Sequence, residues 1–328
     1  MFEKTTTRPP KISIIIPIYN VEAHVEKCVR SLFNQSMIDL EYIFIDDGSP
    51  DNSLTIIKNV LLEFPARVNA VTFIRHDKNR GLTSSRNSGL SVARGEYIMH
   101  CDGDDWLDIE MCHKLYEHAV RTDSDIVYCD YWMVFNSGMQ RYTTIDIIND
   151  RYLYIKKYML GLTVLWNFIA KKSLYDKYQL KSPEHITYCE DFHLAIRLFY
   201  FASRIHKVSE SLYYYNRTNV SSLLNQSGIK AREDSLVAFS EIAEFLKGKG
   251  VYYYFEQEVN WRILNAKQDW ILNPQTYELF LNTLPESNKY ILDCPYLNLK
   301  IKILMWCKLH NLGWVTDIIN FLRFIMRR

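Results

Sequence analysis

Several features that identify common protein classes are scarce or missing in this chain of 328 residues. The seven cysteines include no Cys-x-x-Cys pair and lie mostly within apolar patterns, so we expect buried thiols in a reducing compartment. No Gly-x-Gly-x-x-Gly follows the first predicted strand, so the main support for a dinucleotide-binding oxidoreductase is absent. Only 11 glycines accompany 23 tyrosines and 16 phenylalanines, a balance that argues against disorder.

An excess of one charge and a long apolar run are also missing. The formal net charge is +1, which gives no electrostatic reason to expect a nucleic-acid partner. No stretch of about 18 uninterrupted apolar residues occurs, so we expect no membrane-spanning helix. Residues 1–10 lack the apolar core of a secretory signal. These absences predict a cytoplasmic protein.

What the first part of the chain does contain is a regular alternation of strand and helix patterns. Apolar runs predict strands, and amphipathic spacing between them predicts helices. The predicted strands are residues 12–18, 42–45, 71–74, a run starting at 97, and 125–131, and the helices between them include 21–33 and 108–121. Asn20 is placed to cap the helix over 21–33. Such alternation predicts an α/β fold with a mostly parallel sheet covered by helices on both faces.

Polar, turn-forming clusters follow four of these strands in succession. They occupy residues 17–20, 46–49, 75–80 and 102–105. In open α/β sheets, ligands bind at the carboxyl ends of the strands, where such clusters converge. The sequence therefore predicts a binding site built from separate loops.

The cluster at 102–105 holds three carboxylates, Asp102, Asp104 and Asp105, with Gly103 allowing a sharp turn. Oxygen donors of this kind suit Mg²⁺ or Mn²⁺, which keeps coordination positions open for the phosphates of a substrate. The alternative is a solvated acidic turn that caps the next helix.

Beyond Asn136 the alternation is lost. Residues 151–217 mix short helices with a predicted strand at 212–215, and the pattern is helical from about residue 229. We expect a catalytic domain over 1–220 and a helical region over 221–328. Residues 312–328 carry apolar side chains at helical spacing and basic residues around them, which fits a membrane interface or packing against the helical region or a second subunit.

Four motifs of the first part resemble a known family. They are Ile14-Ile15-Ile16-Pro17-Ile18-Tyr19-Asn20, Ile45-Asp46-Asp47-Gly48-Ser49-x-Asp51, Asn79-x-Gly81-Leu82-x-x-x-Arg86-Asn87-x-Gly89, and Ala93-x-Gly95-Glu96-Tyr97-Ile98. Together with Asp102-x-Asp104-Asp105-Trp106 and Glu190-Asp191, they resemble the family 2 nucleotide-sugar glycosyltransferases of the GT-A fold. The resemblance spans roughly residues 11–217 and does not reach the last hundred.

The resemblance implies a binding site for a nucleotide-sugar donor, usually a UDP-sugar. The residues that it places at the donor are Pro17, Tyr19, Asn20, Asp47, Gly81, Arg86, Asp102 and Asp105. Asp47 would bind the base, and Arg86 would reach the base or the diphosphate. Asp104, with Asp102, would hold a divalent metal, Mn²⁺ or Mg²⁺. The alternatives from the residues themselves are a turn residue at Asp47 and a surface ion pair at Arg86.

The resemblance also assigns the catalytic base. Asp191 would take the proton of the acceptor hydroxyl, and Glu190 would orient the acceptor or a partner side chain. Asp191 at a helix start is otherwise a capping residue. Trp166 and Arg217 are weaker candidates for the acceptor site, each with a structural alternative, a core tryptophan and a solvated arginine.

These inferences combine into one predicted function. The chain would be an inverting, metal-dependent glycosyltransferase that moves one sugar to a saccharide or lipid-linked acceptor in surface polysaccharide or glycolipid synthesis. A peripheral contact with the cytoplasmic membrane face and a homo-oligomer remain open. The alternatives are a sugar-nucleotide nucleotidyltransferase and a catalytically silent carbohydrate-binding protein.

Overall fold

The computed structural model describes residues 9–144, 150–219 and 228–312. By the density of its internal contacts the chain divides into two compact units. Unit 1 comprises residues 1–158 and 162–227, and unit 2 comprises residues 159–161 and 228–328. The predicted boundary at 220/221 and all but the first residue of the predicted amphipathic segment 312–328 lie outside the described residues.

The described part of unit 1 contains one nine-stranded sheet. Its strands are β1 (Ile12–Ile18), β2 (Leu40–Asp46), β3 (Val71–Arg75), β4 (Tyr97–His100), β5 (Trp106–Leu107), β6 (Ile126–Phe135), β7 (Gly138–Tyr142), β8 (Phe168–Lys171) and β9 (Ile205–Asn216). Its helices are α1 (Val25–Phe33), α2 (Ser53–Leu62), α3 (Leu82–Val92), α4 (Met111–Thr122), α5 (Arg151–Leu160), α6 (Lys172–Tyr178) and α7 (Glu190–Phe201). The last two residues of α5 are assigned to unit 2.

The order of strands is β3-β2-β1-β4-β8-β6-β9-β5, with β7 paired to β6 beside this path. β1 pairs in parallel with β2 and β4, and β2 pairs in parallel with β3. The apolar runs of β1 and β2 are almost wholly buried, as expected for strands covered on both faces. The predicted α/β fold is confirmed, and the parallel part brings the carboxyl ends of β1, β2 and β4 to one edge.

The first helix begins later than the sequence indicates. α1 starts at Val25 with His24 at its N-cap position, so the prediction that Asn20 caps this helix is wrong. Asn20 has a left-handed backbone (φ 53°), which asparagine tolerates, and its N–H donates to Ser49 Oγ at 2.8 Å. This bond turns the chain after β1 toward the loop that follows β2, and the helix starts beyond that turn.

Unit 2 is helical in its described part. Its helices are α8 (Ile229–Gly248), α9 (Glu256–Lys267), α10 (Tyr277–Asn282) and α11 (Leu299–Leu309), with short 3₁₀ turns between them. An apolar cluster that includes Leu264, Phe280 and Leu304 forms its core. None of the helices in the described ranges is long and apolar enough to cross a bilayer.

Candidate active site

The acidic loop follows β4 at the edge where the parallel strands end. A Cβ atom on Gly103 would lie 2.9 Å from the carbonyl oxygen of Pro17, closer than real Cβ contacts allow. Only glycine therefore lets this loop approach the end of β1 so closely. The sequence Asp-Gly-Asp-Asp thus places its carboxylates directly above the end of the sheet.

Asp105 is the buried anchor of this loop. The residue is 1% exposed, and its Oδ2 accepts from the hydroxyl of Tyr213 while its Oδ1 accepts from the N–H of Asn216, both at 2.7 Å. Burial and the neighbouring charges of Asp104 and Asp102 raise its pKa well above the usual range. Both carboxyl oxygens are thus engaged by β9, an arrangement that steadies the loop.

The carboxyl groups of Asp102 and Asp104 each accept fewer hydrogen bonds from other residues than that of Asp105. Asp104 Oδ2 accepts from Asn219 Nδ2 at 2.7 Å, and Asp102 Oδ1 accepts from Arg86 Nη2 at 3.0 Å. No other residue in the described ranges donates a hydrogen bond to the second oxygen of either carboxylate. Burial and the negative charge of Asp102 raise the pKa of Asp104, so the two carboxylates repel each other.

This donor set fits a divalent cation whose remaining coordination positions are filled by a substrate. No three His, Cys, Asp or Glu side chains within the described ranges are grouped as an all-protein metal site would require. Mg²⁺ and similar ions are commonly held by one or two carboxylates together with substrate phosphates and water. The two unengaged oxygens of Asp102 and Asp104 match that pattern, and a cation would relieve their repulsion.

Arg86 connects the acidic loop to the predicted catalytic pair. It lies on α3, its side chain is 4% exposed, and its Nη1 forms an ion pair with Glu190 Oε1 while its Nη2 binds Asp102. Glu190 is the first residue of α7, and its carboxyl is buried. The predicted metal residue and the predicted catalytic pair therefore meet at a single guanidinium group.

Asp191 stands beside this ion pair in the first turn of α7. Its Oδ1 accepts the N–H of Phe192 at 2.7 Å. Burial and the negative charge of Glu190 raise its pKa to about 8, against the opposing charge of Arg86. A carboxyl with such a pKa holds or releases a proton near neutral pH, as a general base requires.

Asp47 is held by the loop after β3. Its Oδ1 accepts from His76 Nδ1 at 2.7 Å and from the N–H of Arg80 at 2.8 Å, and its Oδ2 accepts from the N–H of Gly81 at 2.8 Å. His76 Nε2 in turn pairs with the hydroxyl of Ser88 at 2.9 Å. His76 was missed in the sequence, since a single histidine in a polar loop carries no spacing signal.

The remaining predicted donor residues surround this end of the sheet. Tyr19 is 44% exposed and Asn20 is exposed, Pro17 is partly buried in β1, and Gly81 has a left-handed backbone (φ 92°) just before α3. Their contacts with a nucleotide stay predictions.

The two acceptor candidates have different surroundings. Trp166 is 3% exposed and stacks on Tyr213 with ring centroids 4.3 Å apart. Its contact with the acceptor stays a prediction, and this burial does not favour it. Arg217 is exposed and donates through Nη1 to the hydroxyl of Tyr215 at 3.0 Å. Its predicted role also stays open.

Comparison with known proteins identifies the class. Residues 13–187 match the family described as Glycosyl transferase family 2, which is more than half of the chain. An uncharacterised glycosyltransferase of Bacillus subtilis, EpsJ, is 33% identical over 223 residues, which cover 65% of this chain and 63% of that relative. The chain therefore belongs to glycosyl transferase family 2, as the motifs predicted.

Solved structures show the same fold at low sequence identity. The Staphylococcus aureus TarS fragment 1–349 in complex with UDP-GlcNAc is 19% identical with a TM-score of 0.68, covering 95% of this chain and 89% of that one. The mannosyltransferase PcManGT of Pyrobaculum calidifontis, in complex with GDP-Man and Mn²⁺, is 14% identical with a TM-score of 0.56, covering 96% of this chain and 88% of that one. The chain therefore has the GT-A fold.

Proposed function

We propose that the chain transfers one sugar from a nucleotide-diphosphate sugar, most simply a UDP-sugar, to a hydroxyl of a saccharide or lipid-linked acceptor, with inversion. The observation that carries this proposal is the meeting of Asp102, Arg86 and Glu190. It brings the acidic loop and the first turn of α7 into one site. The TarS complex with UDP-GlcNAc, in a chain of the same fold, supports a UDP-linked donor.

The acidic loop would hold the donor's diphosphate through a divalent cation on Asp104 and Asp102. When bound, the cation supplies positive charge for the leaving diphosphate. The Mn²⁺ in the PcManGT complex supports this assignment. Pro17 lies near the end of β1, and the loops that follow β1, β2 and β3 carry Tyr19, Asn20, Asp47 and Gly81. We assign these five residues to the nucleotide.

Asp191 would act on the acceptor. Its carboxylate accepts the proton of the acceptor hydroxyl, the oxygen attacks the anomeric carbon, and the bond from that carbon to the diphosphate breaks. Because one displacement occurs and no second carboxylate is assigned as nucleophile, the anomeric configuration inverts. The direct test is the anomeric configuration of the product, read by NMR, after a screen of nucleotide sugars has identified the donor.

Asp191→Asn tests the assigned base. An amide cannot take the proton, so turnover is expected to fall about 10²–10⁴-fold, while UDP binding with Mn²⁺ changes little. Enzyme assays and calorimetry measure the two quantities. Asp176→Asn, at an exposed aspartate paired with Lys172, is the matched control. Near-normal turnover of Asp191→Asn would place the base elsewhere, and a wild-type protein that binds UDP but transfers nothing would favour a catalytically silent protein.

A further inference from the structure

Two acidic side chains of different segments bind the terminal nitrogens of the Arg86 guanidinium, while its buried Nε has no hydrogen-bond partner among the described residues. Nη1 binds Glu190 and Nη2 binds Asp102 at 3.0 Å, in surroundings where the arginine side chain is 4% exposed. The sequence expectation was a contact with the base or the diphosphate of the donor. Each terminal nitrogen therefore already donates to a carboxylate of the site.

The helix that carries Arg86 also fixes the loop that leads to α7. Thr83 Oγ1 donates to the carbonyl oxygen of Ile186 at 3.1 Å. Asn87 Nδ2 donates to the carbonyl oxygen of Ser182 at 2.9 Å, and the N–H of Ser182 donates back to Asn87 Oδ1 at 3.0 Å. One face of α3 therefore holds the chain from residue 182 to residue 190.

The charged groups that act most strongly on Arg86 are acidic. His100, which is 2% exposed, also lies near Arg86, and burial together with the charge of Arg86 lowers its pKa well below the usual value. The acidic groups that act on the guanidinium are Asp102, Glu190 and Asp191. Arg86 thus balances the negative charge of the acidic loop and of the first turn of α7 at once.

We propose that Arg86 is a positioning residue that clamps the acidic loop to the catalytic helix and sets the distance between donor and base. This inference rests on the proposed function and assigns Arg86 no contact with the nucleotide. The planar fork of arginine can bind two carboxylates in fixed directions, whereas the single ammonium of lysine cannot reproduce this geometry. Loss of the clamp misplaces Asp191 relative to the donor without removing a donor ligand.

Arg86→Lys separates the two roles because it keeps the charge and loses the fork. We expect kcat to fall about 10²-fold or more, since small misplacements of reacting groups are costly, while the Kd of UDP with Mn²⁺ changes by less than about 3-fold. The control is Arg94→Lys, the same substitution at an arginine that pairs with Glu41 outside the site. A Kd that rises about 10-fold or more with kcat unchanged at saturating donor would overturn the proposal and make Arg86 a donor ligand.

A second measurement needs no substrate. The measurement is a mutant cycle followed by urea unfolding. It compares the wild-type protein, the single variant Arg86→Met, the double variant Glu190→Gln with Asp102→Asn, and the triple variant that combines all three changes. The effect of Arg86→Met on the unfolding equilibrium constant is expected to shrink at least about 10-fold when both carboxylates are already neutral. Equal effects in both backgrounds would overturn the clamp. A wild-type protein that binds no UDP would instead overturn the proposed function, and the cycle would still decide on the clamp.

Discussion

At the scale of residues, hydrogen bonding decides which carboxylates of the site stay available for ligands. Asp105 has both oxygens engaged by β9, and Asp47 accepts three hydrogen bonds from the loop after β3. Asp102 and Asp104 each keep an oxygen to which no other described residue donates a hydrogen bond. This difference separates anchoring carboxylates from those that we assign to the metal, although all four belong to similar Asp-rich motifs.

The raised pKa of Asp191 predicts the pH dependence of transfer. Only the carboxylate form can accept a proton, so kcat is expected to fall about tenfold per pH unit below pH 8 and to level off above it. A profile of log kcat from pH 6 to 9.5 with saturating donor measures this. UDP binding followed over the same range is the control for effects on the donor site. A profile that is flat from pH 6 to 8 would contradict the assignment.

The sequence revealed individual residues of the site better than their partners. Asp102, Asp104, Glu190 and Asp191 stand in recognisable motifs, because a few neighbouring residues suffice to define them. The pairing of Arg86 with Glu190 joins positions 104 residues apart and depends on how α3 packs. Neither periodicity nor local propensity contains such information.

At the scale of elements, the parallel part of the sheet could be predicted from the sequence. The remaining strands of the sheet could be predicted only in part. β1 to β4 alternate with helices, and this pattern nearly fixes their arrangement. β8, a buried strand of four residues that lies antiparallel between β4 and β6, has no distinct pattern of its own. β5 has only two residues, and its pairing with β9 is a tertiary contact.

β9 is the element that holds the acidic loop, and Tyr213→Phe tests this role. The change removes the hydroxyl that donates to Asp105 and leaves a buried carboxyl oxygen unsatisfied. We expect the free energy of unfolding to drop by about 1–3 kcal/mol, and UDP binding with Mn²⁺ to weaken because the loop loses an anchor. Urea unfolding and calorimetry measure the two effects.

The matched control for this variant is Tyr214→Phe. Tyr214 is the next residue of β9, and its ring stacks on Trp106 with centroids 5.5 Å apart. Removal of its hydroxyl leaves that stacking in place and leaves Asp105 with both hydrogen bonds. If the two variants had equal stability and equal affinity for UDP with Mn²⁺, β9 would not anchor the loop through Tyr213.

At the scale of the whole molecule, each of the two compact units buries a group whose pKa is shifted, with opposite consequences. In unit 1, the pKa of Asp191 is raised, so the folded form binds more protons and loses stability as the pH rises from about 4 to about 8. In unit 2, Lys267 is fully buried, and burial lowers its pKa to about 8. Folding there releases a proton between about pH 8 and 10.5, and stability rises through that range.

Lys267→Met isolates the contribution of unit 2. Lys267 Nζ donates to Asn288 Oδ1 at 2.9 Å, to Ser287 Oγ at 3.2 Å and to the carbonyl oxygen of Leu284 at 3.5 Å. No carboxylate accepts from it among the described residues. The wild-type protein is expected to gain on the order of 1–3 kcal/mol of unfolding free energy between pH 8 and pH 10 relative to Lys267→Met. Urea unfolding at both pH values measures this difference. Relative to Lys289→Met, at an exposed lysine paired with Glu256, the wild-type protein should show no such gain over the same interval, because that variant retains Lys267. Parallel pH dependence of the wild-type protein and Lys267→Met would mean that Lys267 stays protonated in the folded unit, and that its three neutral oxygen acceptors hold the charge as well as water does.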